Sequence, residues 1–348
     1  MFKISFAEFL LIVSLAQFLL HHPTRAQTTL VGGKGMLRLY DAEPVAPGWL
    51  YVNSFFSYFA EKRQNDNVLS KDITLQLSST LGFSSIFEGF LYMVPYQTDQ
   101  QHLWGALGET RVGIKAHMPR PGKPMQMGIV SFTKFPTGRT YPVPYEPFSE
   151  KSFGYGIVGA LLYNLSQKEA KLPLKIIANV GYLRHRANQP FFMGDHDQLC
   201  GGLGFKWLTR SVLLYTEVSG ELFFHRPDIR FRQNSLRFSQ GCKFTALNGL
   251  IFDAAVDVEL GRYRPSSSEL MMIPRYYENY ADWKLNLGVT FQALIFEKWQ
   301  KRTRQEIERS LRQGENLNQI REKREKVIDE LMEFKKRLED EKKEEIPF

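Results

Sequence analysis

The stretch WKLNLGVTFQALIF, from Trp283 to Phe296, constrains the fold more than any other part of the chain. Polar or small residues alternate strictly with apolar ones along it, and Lys284 and Asn286 fall on the side opposite to Leu285 and Leu287. Successive side chains of a β-strand point to opposite faces, so a period of two separates the two kinds of residue. The stretch therefore predicts a strand with one polar face and one apolar face.

The same alternation recurs in about twelve segments of roughly 10 to 14 residues, and a tilted strand needs only about 9 to 11 residues to cross a bilayer. We place these segments near 48–60, 72–82, 84–95, 109–118, 125–135, 152–165, 172–184, 198–208, 210–224, 234–246, 249–263 and 282–296. The phase of the fifth and sixth segments is ambiguous, and their register stays open.

The connections between these segments alternate between short and long. Residues 82–84 and 247–248 are short turns, whereas residues 136–151 and 265–281 are long. Short turns at one end, long loops at the other and an even number of strands are typical of membrane barrels. We therefore predict an all-β fold for residues 48–296, an antiparallel transmembrane β-barrel of about 12 strands.

The two ends of the chain differ from this pattern. Lys3, the apolar run of residues 4–20 and the small residues around Ala26 predict a signal peptide over 1–26, with a short anchor helix as the alternative. Residues 27–47 are rich in glycine and proline, and we expect them to lead into the barrel from the periplasm. The sequence leaves open whether residues 32–46 plug the lumen.

The last part of the chain, residues 297–348, is predicted to be a helical tail in the periplasm. Acidic and basic residues are nearly balanced in it, and Val327, Leu331, Phe334 and Leu338 recur at a spacing near 3.5 residues. Such a spacing is typical of a coiled coil. The tail could associate with itself or with a periplasmic partner.

Charged residues on the polar faces of the strands are the candidate functional residues. A lipid-facing Lys or Arg near the bilayer midplane costs roughly 2–4 kcal/mol, so these rows are expected to face the lumen. The predicted lumen charges are Glu88, Glu109, Arg111, Lys115, Lys175, Lys206, Glu217, Glu221, Arg237, Lys243, Asp253, Asp257, Glu259 and Lys284. Because their signs nearly balance, they could pair across the lumen and close it, or they could line an open watery pore.

No motif predicts catalysis, and no cofactor or metal is expected. The sequence of residues 154–160 matches a dinucleotide fingerprint, but it lacks the strand and helix that such a site requires. Residues 194–197 offer adjacent Asp and His ligands that cannot close a metal site alone. His117 could act as a general base, but no serine motif accompanies it. We therefore interpret these residues as structural, and we predict that the chain is not an enzyme.

The leader, the strand rhythm and the last strand together resemble bacterial outer-membrane β-barrel proteins. The resemblance identifies an assembly signal in the last strand, formed by Asn286, Gly288, Phe291, Ala293 and Phe296. More loosely, residues 32–52 resemble the start of barrels of the outer-membrane protein A type. A charged helix here takes the place of the peptidoglycan-binding domain of that type, so the resemblance does not extend to peptidoglycan binding.

This resemblance implies a location in the outer membrane, with lipid, lipopolysaccharide and the barrel-assembly machinery as partners. The net charge is +8, but the chain carries no pattern typical of nucleic-acid binding. The leading hypothesis is a passive, porin-like channel for small solutes. The alternative is a closed structural barrel whose tail oligomerises or anchors a partner.

Overall fold

The computed structural model describes residues 27–62, 69–99, 102–120, 122–138, 153–167, 172–188, 193–209, 212–224, 231, 234–245, 249–261, 281–297 and 332. The predicted signal peptide and nearly all of the predicted helical tail lie outside these residues, so both stay predictions. The chain divides into two units after Glu297, and the features below belong to the first. Within the described ranges, no helix is both long and apolar enough to span a membrane.

The described strands form one antiparallel sheet in which consecutive strands of the chain pair with each other, except that β5 pairs with β3 rather than with β4. The sheet closes on itself because the first strand, β1, also pairs with the last, β13. β4 and β5 follow each other along the edge of β3, so together they occupy one position in a wall of twelve strands. The strands are β1 Trp49–Lys62, β2 Leu69–Gly82, β3 Phe87–Asp99, β4 His102–Ala106, β5 Thr110–Met118, β6 Met125–Phe135, β7 Gly154–Asn164, β8 Leu174–Asn188, β9 Met193–Leu208, β10 Val212–Phe224, β11 Ser235–Thr245, β12 Leu250–Glu259 and β13 Trp283–Leu294.

The predicted barrel of about twelve antiparallel strands is confirmed, with differences at strand ends. β8 and β9 extend beyond the predicted segments 172–184 and 198–208, and Ala187 pairs with Gly194. The hydrogen bonds between these strands join backbone groups and do not require alternating polar and apolar side chains. Because the residues there are polar without alternation, the sequence did not predict the extensions. β13 ends at Leu294, and Phe296 lies just beyond the last strand rather than closing it.

The outer face of the wall is apolar. Val112 and Ile114 on β5, Val180 on β8 and Leu287 on β13 all point outward, and Val180 is 71% exposed. Inward residues alternate with them along each strand. Contact with lipid hydrocarbon requires that backbone polar groups are hydrogen-bonded within the protein and that the outer surface is apolar. The closed wall meets both requirements. We therefore treat the barrel as a membrane-spanning wall.

The N-terminal segment lies inside the barrel. Residues 27–45, here called the plug, fold into a compact double turn with isolated bridges between Thr28 and Lys34 and between Gly35 and Tyr40. Met36 and Leu37 are fully buried. The question left open by the sequence for residues 32–46 is therefore answered, since most of this segment occupies the lumen.

Four inward glycines of the wall are each covered by an aromatic ring directly opposite on the neighbouring strand. The pairs are Phe55–Gly288, Phe90–Gly113, Phe132–Gly156 and Tyr215–Gly241. A Cβ atom on any of these glycines would lie 2.2–2.5 Å from the covering ring. Gly288 thus has a packing role in the finished barrel, while its role in an assembly signal stays a prediction.

Candidate functional site

The structure places the fourteen candidate charged residues on the inner side of the wall. Ten of them are buried: Glu88, Lys115, Lys206, Glu217, Arg237, Lys243, Asp253, Asp257, Glu259 and Lys284. The other four, Glu109, Arg111, Lys175 and Glu221, are partly buried. Most of them contact the plug or a neighbouring strand, so the site is the lumen together with the segment that fills it.

Two glutamates of the wall bind main-chain N–H groups of the plug. Glu88 accepts hydrogen bonds from the amides of Lys34 (2.9 Å) and Val45 (2.6 Å). Glu217, on the opposite part of the wall, accepts from the amide of Arg38 at 2.9 Å and from the amide of Leu39 at 3.4 Å. Each carboxylate therefore satisfies two backbone donors that water cannot easily reach.

Two lysines of the wall supply the complementary donors. Lys115 Nζ donates to the carbonyl of Lys34 at 3.1 Å. Lys243 Nζ donates to the carbonyls of Thr28 at 2.8 Å and Met36 at 3.1 Å. The wall thus recognises the plug largely through its backbone, which suits a short segment that forms few regular hydrogen bonds of its own.

Asn179 on β8 completes this set and was not among the predicted residues. Its side chain accepts a hydrogen bond from the amide of Tyr40 at 2.6 Å and donates to the carbonyl of the same residue at 2.9 Å. Asn179 shares the inward face of β8 with Lys175, so the strand phase would have identified it if neutral polar residues had been included.

Side-chain ion pairs add to the backbone contacts. Asp41 lies 3.0 Å from Lys206, and Glu43 lies 3.2 Å from Lys34 and 3.4 Å from Lys175. Burial alone would raise the pKa of Asp41, but the charges of Lys206 and Lys34 outweigh it and hold this pKa below its ordinary value. The pKa of Glu43 is likewise lowered, because Lys34 and Lys175 outweigh its burial. Both carboxyl groups are therefore ionised at neutral pH.

One ion pair ties the plug to the middle of the wall. Arg38 Nη2 lies 2.6 Å from Asp257 Oδ2, and this carboxylate also accepts a hydrogen bond from Asn286 at 3.0 Å. Burial opposes the charge of Arg38, but Asp257 reverses the effect and raises the pKa of the guanidinium. Asn286, predicted as part of the assembly signal, therefore also lies next to the charge that holds Arg38.

Three ion pairs also join wall charges on adjacent strands. Lys115 lies 2.7 Å from Glu88 on β3, and Lys243 lies 2.9 Å from Asp253 on β12. Arg237 of β11 lies 3.7 Å from Glu259 of β12. Pairing across an empty lumen, one of the two arrangements that the sequence allowed, is not seen for these residues because the plug occupies the space between.

One side of the lumen is apolar. Met36, Leu37 and Leu39 of the plug belong to a single buried cluster with Val130 and Phe132 of β6, and the cluster extends to β7 and β8. The middle of the inward face of β6 is therefore apolar, between Gln126 and Lys134, while Ser131 and Thr133 point outward. This arrangement explains why the phase of the fifth and sixth predicted segments was ambiguous.

A cavity of about 230 Å³ lies above the plug, in the half of the barrel that carries the long connections. Its floor includes Leu30, Arg38 and Tyr40 of the plug. We call this cavity the vestibule. The plug thus fills the half of the lumen near the short turns, and the vestibule occupies part of the other half.

The structure describes only part of the residues considered for metal binding or catalysis. No group of three or more His, Cys, Asp or Glu side chains suited to a metal ion occurs in the part of the chain that the structure describes. The side chains of residues 194–196 lie outside that part. The ring of His117 faces the carbonyl of Met127, 3.2 Å from Nδ1.

No protein-family model matches the chain, and no curated protein matches it significantly. Solved structures with a similar barrel include the NanC porin, with 10% sequence identity, coverage of 70% of this chain and 98% of that chain, and a TM-score of 0.47. The KdgM porin shows 7% identity, 69% and 98% coverage, and a TM-score of 0.44. An outer-membrane channel from Pseudomonas putida F1 shows 9% identity, 73% and 98% coverage, and a TM-score of 0.47.

Proposed function

We propose that the protein is a channel of the bacterial outer membrane for small polar solutes, and that residues 27–45 close its lumen at rest. The observation that carries the proposal is the ring of contacts around the plug. Its hydrogen bonds and ion pairs reach β2, β3, β5, β8, β9, β10, β11 and β12. Apolar packing adds β6 and β7. A segment held on nearly every side spans the cross-section of the lumen.

The size of the barrel supports a channel with a separate plug. A barrel of about eight strands fills with its own side chains, whereas sixteen or more leave a water-filled pore. Twelve strands lie between these cases, so wall side chains alone would leave space. In this chain a distinct segment, joined to β1 through Gly48, occupies that space.

The chemistry of the contacts supports a plug that can leave. Glu88, Glu217, Lys115 and Lys243 bind it through hydrogen bonds that water could replace. Apolar residues of similar volume would stabilise a permanently filled core at least as well as buried ion pairs do. A wall that keeps its charges after the plug has left would be wet and polar, as a channel for polar solutes requires.

The alternative is a permanently closed structural barrel. The complete burial of Met36 and Leu37 favours it, since both side chains would have to be exposed to water when the lumen opens. In that reading the helical tail would oligomerise or hold a periplasmic partner, and the barrel would serve as its anchor. Contacts with lipopolysaccharide and with the assembly machinery are part of both proposals.

Solute uptake by proteoliposomes separates the two functions. Vesicles would contain either the full mature chain or the same chain lacking residues 27–45, and their swelling in a small sugar would be recorded. We expect the full chain to be nearly impermeable and the shortened chain to admit the sugar. A heat-modifiable shift on gel electrophoresis would establish that both barrels are folded. A folded, shortened barrel that admits no sugar would favour the structural function.

A further inference from the structure

The vestibule has the size of a binding site for a small molecule. Its volume of about 230 Å³ is somewhat below the roughly 300–1,000 Å³ typical of sites for drug-sized ligands, so it suits a molecule the size of a monosaccharide. Arg38 and Tyr40 of the plug form part of its floor, and Tyr92 and Phe132 of the wall contribute aromatic surface. A molecule bound there would contact the wall and the plug at once.

Basic side chains outnumber acidic ones among the residues that line the vestibule, which are Arg38, Arg111, Lys134, Arg237 and Lys284 against Glu109 and Glu221. Glu109 forms ion pairs with both Arg111 and Lys134, and its distance to Lys134 Nζ is 2.8 Å. Glu109 is thus shared between two cations, and Glu221 is the other carboxylate among the residues that line the vestibule. The guanidinium of Arg111 lies over the rings of Tyr92 (5.6 Å) and Phe132 (5.5 Å), and both cation–π contacts stabilise its position.

Three buried polar atoms in the residues lining the vestibule lack a hydrogen-bond partner among the described residues. They are Tyr40 Oη, Gln76 Oε1 and Arg38 Nη1. Buried polar atoms are normally paired, so unpaired ones beside a cavity indicate positions where a ligand can bind. Burial raises the pKa of Tyr40, so its hydroxyl remains a hydrogen-bond donor in the physiological range. The set offers two donors and one acceptor.

We propose that the vestibule is a binding site for a small hydroxylated carboxylic acid. The carboxylate of the ligand pairs with Arg111 and Lys134. The planar guanidinium of Arg111 and the compact ammonium of Lys134 can both bind a carboxylate. The hydroxyl groups accept from Tyr40 and Arg38 and donate to Gln76, which a ligand without hydroxyl groups cannot do. This proposal rests on the proposed channel function, since it names the class of solute that would approach the plug.

Isothermal titration of the full mature chain in detergent tests the site with two probes that differ in one group. Glucuronate carries the carboxylate and hydroxyl groups, and glucose carries hydroxyl groups alone. We expect glucuronate to bind at least about tenfold more tightly than glucose, the ratio for one charge-assisted hydrogen bond. Equal affinities, or no heat from glucuronate at about 10 mM, would overturn the proposal.

Three variants test whether the charged cluster of Glu109, Arg111 and Lys134 carries the binding. Arg111→Gln is expected to weaken glucuronate binding about tenfold or more, while Arg111→Lys keeps the charge and retains part of the affinity. Lys123→Gln removes one positive charge from a turn outside the vestibule, and its affinity is expected to match the parent chain. Gel mobility shifts would show that each barrel is folded. Unchanged binding by folded Arg111→Gln would refute the site.

The binding result and the channel function can fail separately. Glucuronate binding together with a shortened barrel that admits no sugar would leave the site standing and remove the channel. Sugar uptake by the shortened barrel without glucuronate binding by the full chain would do the reverse.

Discussion

The two sides of the lumen hold the plug by different means. On the apolar side, formed by the inward residues of β6 and β7, Val130, Phe132 and Val158 belong to one buried apolar cluster with it. On the charged side, formed by β10, β11 and β12, Glu217 and Lys243 bind its backbone through hydrogen bonds. The comparison indicates that the apolar side supplies shape and burial, and the charged side fixes the position of the chain.

The two sides should respond differently to substitution. Loss of an apolar side chain costs transfer free energy plus the free energy of the cavity left behind. Loss of one member of a buried ion pair also leaves an uncompensated charge in a water-poor interior, at about 3–5 kcal/mol. We therefore expect the charged side to be the more sensitive to single changes and the more tolerant of matched double changes.

The largest effect is expected for Lys243→Met. The change leaves Asp253 without its cation and removes the donor to Thr28 and Met36, so both barrel and plug should lose stability, by about 3–5 kcal/mol. Denaturant unfolding would measure the barrel, and hydrogen exchange of plug amides would measure the plug.

A double variant separates these two contributions. Adding Asp253→Asn removes the unpaired charge, so barrel stability should largely return, whereas plug amides should continue to exchange faster than in the parent chain. Full restoration of their protection would show that Lys243 stabilises the wall alone and that the charged side does not position the plug.

Leu37→Ala tests the apolar side. Because the side chain is fully buried, the free energy that holds the plug in the lumen is expected to decrease by about 2–5 kcal/mol. Exchange of the plug amides would again report the effect. Leu287→Ala, the same change on the lipid-facing surface, is the matched control and should leave these amides unchanged. An equal response of the two variants would contradict the assignment of Leu37 to the packed core.

Gly128→Val tests how closely the wall approaches the plug. A Cβ atom at Gly128 would lie 2.7 Å from the carbonyl oxygen of Ala42, so the plug must shift, at a cost of about 1–3 kcal/mol. Gly159→Ala is the control, since its Cβ atom would meet only the carbonyl oxygen of Val180, at 3.5 Å. Protease sensitivity of the plug should rise in the first variant and not in the second.

The smallest effect is expected from a moderate decrease in pH, from neutral to about pH 5. The pKa values of Asp41 and Glu43 are lowered from ordinary values of 3.8 and 4.5, so their stabilisation is complete above those values and is lost as the pH falls below them. Protection factors of plug amides should stay constant from pH 7 to about 5 and decrease below about 4. Asp41→Asn should weaken this dependence. A decrease that begins near pH 6 would indicate another titrating group.

The strands could be predicted from the sequence because lipid imposes a strict alternation on the wall, as in β5 and β13. The same reasoning did not resolve β6 and β7, where the plug imposes apolar residues on the inner face as well. The plug itself could not be predicted. Its contacts join residues far apart in the chain, such as Arg38 and Asp257, and its glycine-rich sequence has no period. The role of the lumen charges could not be predicted either, because it depends on their contacts with the plug.

The most direct test of the account is the single-channel conductance of the refolded protein in a planar bilayer, with and without residues 27–45. We expect steady ohmic steps from the shortened chain and no such steps, under the same voltage, from the chain that begins at residue 27. Steps of equal size from both chains would contradict closure by the plug. Silence from a shortened chain with the gel mobility of a folded barrel would contradict the channel itself.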